Sequence, residues 1–435
     1  MSRIPFELKE LSPRDYSGYF LTQNPFPAIS VAEEDPKVFV DRDRVMKGVH
    51  DLIVSVMTTG KSQTMVIQGT YGSGKSHILK FVRSKINAQL SMNPKNKALA
   101  VYVESPRSTF TEMYSEIVIG IGLAFAKDIA ARVLTNYLIT NPSELERAVI
   151  KRTKDSSASK LLEMLKKDYT CLSEIMSSGE LKQFDVIHSA AQSMQNEFKI
   201  RDYPFAFFRI LDPGTESSSW RWILGERLER QERGLLEVNS LIEENGLDAF
   251  HDFKLLYLKA GFKALFILLD ELERVTELHS SLESRYFDDL RHFVDNSTDN
   301  VCLVSCVTPG GFAAIQASGH PLQRRLLSFN ETLEPFDFDL SAKLVSAYIA
   351  DARDEYQKIS GKKDEAMDKK ISSLHRGADP GIFPFTKDSL TTIHEITGGN
   401  VGDLLTACSR LLDAACDQKL EVISDSAFVK TVLKE

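Results

Sequence analysis

Apolar residues fall into two kinds of pattern along this chain. Four short runs show no polar alternation: Thr64-Met65-Val66-Ile67-Gln68, Ala98-Leu99-Ala100-Val101-Tyr102-Val103, Ala264-Leu265-Phe266-Ile267-Leu268-Leu269 and Val301-Cys302-Leu303-Val304-Ser305-Cys306-Val307-Thr308. Runs of this kind fit strands buried on both faces of a parallel sheet. Elsewhere the apolar residues recur at three- and four-residue steps, the spacing of helices. Val45, Val49, Leu52, Ile53 and Val56 form one such face, and Phe250, Phe253, Leu255, Leu256 and Leu258 another that runs up to Gly261. Leu278, Leu282, Tyr286, Leu290 and Val294 stand at four-residue steps on a third. Ser108-Thr109 caps a helix expected over 111–127.

Residues 129–137, 143–152, 160–167 and 180–198 read as helices with polar breaks such as Lys154-Asp155-Ser156-Ser157 and no strong strand. This block is expected to be a helical insertion; the alternative is a continuous α/β core. From Leu340 onward, helices are expected over 343–356, 386–396, 401–417 and 424–433, with Phe383-Pro384-Phe385 as a turn between them. Before residue 39, Pro5, Pro13, Pro25, Pro27 and Pro36 interrupt any periodicity. That stretch reads as an arm on the core, with Phe26 as its aromatic anchor. The expected organisation is an N-terminal arm (1–38), an α/β core in two parts (39–126 and 226–339) around a mainly helical insertion (127–225), and an all-α lid (340–435). The fold class is α/β, with a parallel sheet.

Composition sets limits. A chain of 435 residues is too long for one ordinary core. With 26% charged and 43% hydrophobic residues it reads as a soluble globular protein. No apolar run reaches the length of a membrane span, and Met1-Ser2-Arg3-Ile4-Pro5-Phe6 lacks an apolar signal core. A cytoplasmic chain without a membrane partner is expected. Cys171, Cys302, Cys306, Cys408 and Cys416 form no Cys-x-x-Cys pair, so neither disulfides nor a zinc site are expected. The net charge of −8 argues against indiscriminate coating of nucleic acid and leaves room for a local basic patch.

The chemistry concentrates at the ends of the apolar runs. Gly69-Thr70-Tyr71-Gly72-Ser73-Gly74-Lys75-Ser76 follows the first run and precedes a helical pattern at His77-Ile78-Leu79-Lys80-Phe81-Val82. Strand, glycine-rich loop, Gly-Lys-Ser and helix make a phosphate-binding P-loop. Its glycines let backbone N–H groups face phosphate oxygens, Lys75 reaches the β- and γ-phosphates, and Ser76 offers a hydroxyl to Mg²⁺. ATP and Mg²⁺ are the ligands expected. The third run ends in Asp270-Glu271, two acids where open α/β sheets place their ligands. Asp270 is expected to hold Mg²⁺ and Glu271 to act on the attacking water as general base; a capping acid pair is the plainer alternative. Thr308 ends the fourth run, beside the expected γ-phosphate, or is a strand terminus before Pro309-Gly310-Gly311. Arg324 and Arg325 are candidates for an arginine reaching a neighbouring subunit's nucleotide, or for surface salt bridges.

This order of parts resembles the AAA+ ATPases, in the branch of the origin-recognition initiators and ExeA-type ATPases. Phe39-Val40-Asp41-Arg42-Asp43 resembles that branch's FVGRE box. The resemblance implies that Val40 and Arg42 line the adenine site; His77, directly after the P-loop, is a further candidate for nucleotide binding. Trp222-Ile223-Leu224-Gly225-Glu226 and Ala260-Gly261-Phe262, leading into Leu268-Leu269-Asp270-Glu271-Leu272-Glu273, resemble the ATP-binding proteins of BREX-type phage-defence loci. There a W-L-x-G-E element is followed by Gly-Tyr before an "lDElE" strand. The implied partners are ATP, DNA, a superfamily-two helicase or another defence-complex protein, and further copies of the chain. One departure stands out. The lid turn in which the branch carries its sensor arginine reads Gly398-Gly399-Asn400-Val401-Gly402-Asp403, with Gly402 in the arginine's place. No winged helix of the kind that initiators usually carry after the lid is expected within the residues up to Glu435. The leading expectation is an ATPase coupled to a nucleic-acid-handling or defence complex. A nucleotide-gated switch with slow turnover and a DNA-binding initiator or transposition regulator are the alternatives.

Overall fold

The computed structural model describes residues 13–29, 38–40, 42–93, 95–149, 158–177, 181–239, 242, 245–317, 326, 329–361, 367–369, 371–372 and 379–434. The chain divides into two compact units. The first holds Met1–Val45, Gly69–Lys80 and Thr332–Glu435; the second holds Met46–Gln68 and Phe81–Glu331.

The second unit is built on a five-stranded sheet, of which only Gly69, Thr332 and Leu333 count with the first unit. Its strands are β1 (Gln63–Gly69), β2 (Ala98–Val103), β3 (Ala264–Leu269), β4 (Val301–Val307) and β5 (Asn330–Leu333), in the order β2-β3-β4-β1-β5. β2 pairs parallel with β3, β3 with β4, and β4 with β1. Every residue of β3 and β4 is buried, which is why these runs lack alternation. The four apolar runs are therefore the four paired parallel strands, and the α/β class with a parallel P-loop sheet is the fold observed. β5 has no counterpart among the sequence expectations. Its Asn-Glu-Thr-Leu sequence is polar and only Leu333 is buried, as suits an edge strand.

Helices α1 (Asp43–Thr59), α2 (Lys75–Leu90), α3 (Phe110–Ile121) and α4 (Leu123–Thr140) follow in chain order. On α1, Val45, Val49, Leu52 and Val56 are buried, as their spacing predicts. Thr109 and Glu112 close a capping box on α3. The single helix expected over 111–127 is broken: α3 stops at Ile121, Gly122 takes φ +85°, and α4 starts afresh. Seven short α-helices lie between 142 and 236 among the described residues, with no strand longer than one bridging residue. Their buried side chains, Trp222, Tyr203, Phe207 and Phe208 among them, share one apolar cluster with Val101, Leu265 and Ile267 of the sheet. α5 (Gly246–Lys259) and α6 (Ser280–Asn296) add Phe253, Tyr257, Tyr286 and Leu290 to it. Leu278 lies before α6 and not on it, because Glu271 is followed by a 3₁₀ segment through Glu277. α7 (Pro309–Ala317) follows β4.

The first unit has its own core, formed by α8 (Phe338–Ser360), α9 (Lys387–Thr397), α10 (Val401–Asp417) and α11 (Ser426–Lys434) with the N-terminal arm. The arm is anchored by four aromatic rings, Tyr16, Tyr19, Phe20 and Phe26, and not by Phe26 alone. Arg14 pairs with Asp413 at 2.8 Å and Asp417 at 2.7 Å on α10.

Candidate functional site

Parallel pairing places the strand ends in register. Leu269 pairs with Ser305 and Gln68 with Val307, so β1, β3 and β4 finish at one edge of the sheet. Gly69–Ser76 leaves that edge as the continuation of β1. Gly72 and Gly74 take φ of +75° and +94°, conformations that favour glycine. A Cβ at Gly69 would lie 2.4 Å from Ser73 Oγ, so the loop closes on itself only without a side chain there. Lys75 opens α2 and is only 8% exposed. Its Nζ donates to the carbonyls of Gly69 at 2.8 Å and Thr70 at 3.0 Å and lies 5.5 Å from the centre of the Tyr71 ring. Thr70 and Tyr71 are exposed, and Ser76 and His77 half-buried. The buried Ser73 hydroxyl has no hydrogen-bond partner among the described residues. α2 has no acidic residue in its first turn. A buried ammonium, an orphaned hydroxyl and a helix start free of acidic residues fit a phosphate chain.

The acids belong to the second unit. Asp270 continues the ladder, its N–H donating to the Val103 carbonyl at 2.8 Å, and its side chain is almost fully buried. Its Oδ2 accepts from the Tyr102 hydroxyl at 2.9 Å and its Oδ1 from the Glu271 N–H at 2.9 Å. Glu271 adopts φ +48°, a left-handed conformation unusual for glutamate and frequent at functional turns. Arg274 Nε stands 2.5 Å from Glu271 Oε2. Burial pushes the Glu271 carboxyl above its ordinary range; Arg274 opposes the rise, while Asp270, Glu273 and Glu104 add to it. Thr308 is buried, and its Oγ1 accepts from the Gly311 N–H at 3.2 Å, so the hydroxyl caps α7. Asp270 in the second unit offers a buried carboxylate and Ser76 in the first a half-buried hydroxyl, each an oxygen of the hard kind that Mg²⁺ takes. Among the described residues no cluster of three or more His, Cys, Asp or Glu stands ready to hold a metal.

The remaining candidates gather in the first unit. Arg42 Nη2 donates to the Ser73 carbonyl at 3.0 Å, Nη1 to the Glu334 carbonyl at 2.7 Å, and its guanidinium lies 4.3 Å over the Phe336 ring. His77 stacks on Phe39 at 5.9 Å, and its Nε2 lies 2.9 Å from the Val38 carbonyl. Val40 packs half-buried against the core of this unit. The lid turn meets the P-loop: Asn400 Nδ2 donates to the Tyr71 carbonyl at 2.6 Å, and the Gly402 N–H to the Gly72 carbonyl at 2.8 Å. Arg324, Arg325 and Asp41 lie outside the described residues.

The sequence profile of the BREX system ATP-binding protein BrxC/D matches residues 37–337. The chain belongs to that family. Trp222 is buried against Tyr203, and the Leu224 carbonyl accepts from the Ser115 hydroxyl at 2.6 Å, so the W-I-L-G-E stretch is a packing element. Phe262 stacks on Tyr257 with ring centres 4.5 Å apart. No curated protein matches the chain. Among solved structures, Drosophila ORC bound to DNA aligns at 11% identity and a TM-score of 0.44, over 100% of this chain and 70% of that one. The Aeropyrum pernix ORC1 protein in complex with DNA aligns at 11% and 0.42, over 92% and 66%. The Aeropyrum pernix ORC2 protein in its ADPNP–ADP complexes aligns at 8% and 0.44, over 92% and 68%. No helix among the described residues is long and apolar enough to cross a membrane.

Tyr102, Arg274 and Asn400 touch candidate residues, and sequence reasoning did not single them out. Tyr102 carried a signal, as the lone hydroxyl in an otherwise aliphatic strand. Asn400 carried one too, as the residue that opens α10 after two glycines.

Proposed function

We propose that this chain binds ATP with Mg²⁺ and hydrolyses it within a phage-defence complex. The observation that carries the reading is the loop after β1: a buried Lys75 beside an orphaned Ser73 hydroxyl, on a backbone that needs glycine at 72 and 74. Membership of a family of BREX system ATP-binding proteins supports it. Lys75 and the loop N–H groups would hold the phosphates, Val40, Arg42 and His77 would flank the base, and Ser76 and Asp270 would offer oxygens to the metal. Mg²⁺ supplies charge neutralisation of the phosphate oxygens when bound. Glu271 takes a proton from water as the water oxygen bonds to the γ-phosphorus. The bond from that phosphorus to the bridging oxygen breaks, and ADP leaves. Thr308 orients the water, and Arg324 or Arg325 acts on a neighbouring copy's nucleotide. DNA and a helicase or other defence-complex protein are the proposed partners.

The test is ATP binding and turnover by the purified chain and by Lys75→Ala, each with and without duplex or single-stranded DNA. Binding and turnover that Lys75→Ala abolishes support the reading, and stimulation by DNA places nucleic acid among the partners. Wild-type protein that binds no ATP under any condition refutes it. A second reading, a nucleotide-gated switch with slow turnover, is favoured by the lid turn, which offers Gly402 where an arginine was expected. Tight ATP binding with negligible turnover in all four conditions selects it.

A further inference from the structure

Three consecutive carbonyls of the phosphate loop are held from outside the loop. Asn400 Nδ2 donates to Tyr71 at 2.6 Å, the Gly402 N–H to Gly72 at 2.8 Å, and Arg42 Nη2 to Ser73 at 3.0 Å. A trans peptide unit is planar, with its C=O and the following N–H pointing in opposite directions. The N–H groups of Gly72, Ser73 and Gly74 therefore face away from these donors. Ser73 turns its N–H towards the Thr70 carbonyl at 3.2 Å, while those of Gly72 and Gly74 make no hydrogen bond among the described residues. Successive N–H groups on one side of such a loop form an anion nest. A carbonyl that accepts a hydrogen bond also polarises its peptide unit, which strengthens the donor on the far side.

We infer that Asn400, Gly402 and Arg42 are positioning residues that aim the backbone donors of the phosphate loop. The lid acts on the back of the loop through Asn400 and a main-chain N–H, and needs no arginine side chain at 402 to do so. This rests on the reading of Gly69–Ser76 as a nucleotide site. Asn400 serves two ends with one side chain. Its Oδ1 caps α10, accepting from the N–H groups of Gly402 at 3.1 Å and Asp403 at 3.2 Å, while its Nδ2 holds the loop. Close approach also explains a glycine: a Cβ at Gly72 would stand 2.4 Å from Asn400 Oδ1. Phosphate binding and docking of the lid turn are then linked, and each favours the other.

Asn400→Asp separates the two roles. The carboxylate keeps the cap and the side-chain shape, loses the donor, and sets a negative oxygen against the Tyr71 carbonyl. The probes are ATP and inorganic tripolyphosphate, whose affinities for the full chain are measured by calorimetry beside thermal unfolding. The expected result is a loss of at least tenfold in affinity for both probes, with unfolding little changed. Should Asn400→Asp not fold, Gly402→Pro serves. It lies in the first turn of α10, where proline is tolerated, and removes the N–H that holds Gly72 and is shared with Asn400 Oδ1, while the Asp403 N–H still donates to that cap. A folded variant that binds tripolyphosphate within twofold of wild type overturns the inference and leaves the nucleotide reading standing. Wild-type protein that binds neither probe overturns both.

Discussion

Replacing Glu271 by glutamine separates chemistry from folding at the proposed site. The side chain keeps its length and the backbone its left-handed turn, so geometry is little disturbed. What is lost is the capacity to take a proton. A positioned general base contributes roughly 10²- to 10⁴-fold to rate, or about 3 to 5.5 kcal/mol of barrier. Stability moves far less. The ion pair with Arg274 is lost, but Arg274 is 57% exposed, so the loss is about 1 kcal/mol at most. Against this, burial disfavours the charged form of Glu271, and the neutral amide escapes that cost. The sign follows from the raised pKa. The folded state holds this proton more tightly than the unfolded chain does, so the group favours folding at low pH. That contribution disappears as pH rises through the folded pKa. Relative to wild type, the variant therefore gains stability with rising pH. Turnover has the opposite requirement, an unprotonated base, so wild-type activity falls as pH drops through a value above the ordinary glutamate range. The assay is phosphate release at saturating ATP from pH 5 to 8, beside ATP affinity and chemical denaturation. Turnover within tenfold of wild type by a folded, ATP-binding Glu271→Gln protein would refute the role given to Glu271.

Three further outcomes are expected. Asp252 is fully buried and accepts from the N–H groups of Lys199 at 2.8 Å and Ile200 at 2.7 Å. Asp252→Ala strands both donors and should cost about 2 to 4 kcal/mol in urea denaturation; a cost below 1 kcal/mol would contradict that accounting. A Cβ at Gly311 would lie 2.2 Å from the Cβ of Glu273. Gly311→Ala should therefore destabilise the second unit by about 1 to 3 kcal/mol, read as a lower denaturation midpoint. Cys302, Cys306 and Cys408 are buried, and burial raises the thiols of Cys302 and Cys408, whereas Cys171 and Cys416 are partly exposed. In a thiol-labelling time course the exposed pair should react first, and the other three only on unfolding; rapid labelling of Cys302 would be inconsistent with the fold.

What the sequence determined by itself is whatever contiguous residues encode. A strand buried on both faces needs an unbroken apolar run, and a helix needs a face at three- and four-residue steps, so four strands and most helices were legible directly. The glycine-rich loop and the Asp-Glu pair stood out as candidates for the same reason: each packs its residues into a few adjacent positions. β5 was not, because a four-residue polar edge strand is defined by its partner and not by its own pattern. The break at Gly122 was missed because glycine in a helical pattern is tolerated as often as it interrupts. Tertiary structure alone decided the strand order, which follows no sequence rule at this length. It alone joined Tyr102 to Asp270 across 168 positions and Asn400 to Tyr71 across 329. No periodicity reaches over such separations. A hydrogen bond between distant residues exists only once the fold has brought its donor and acceptor within 3 Å or so. That is why the side chains that orient the acid and the phosphate loop became visible only in three dimensions.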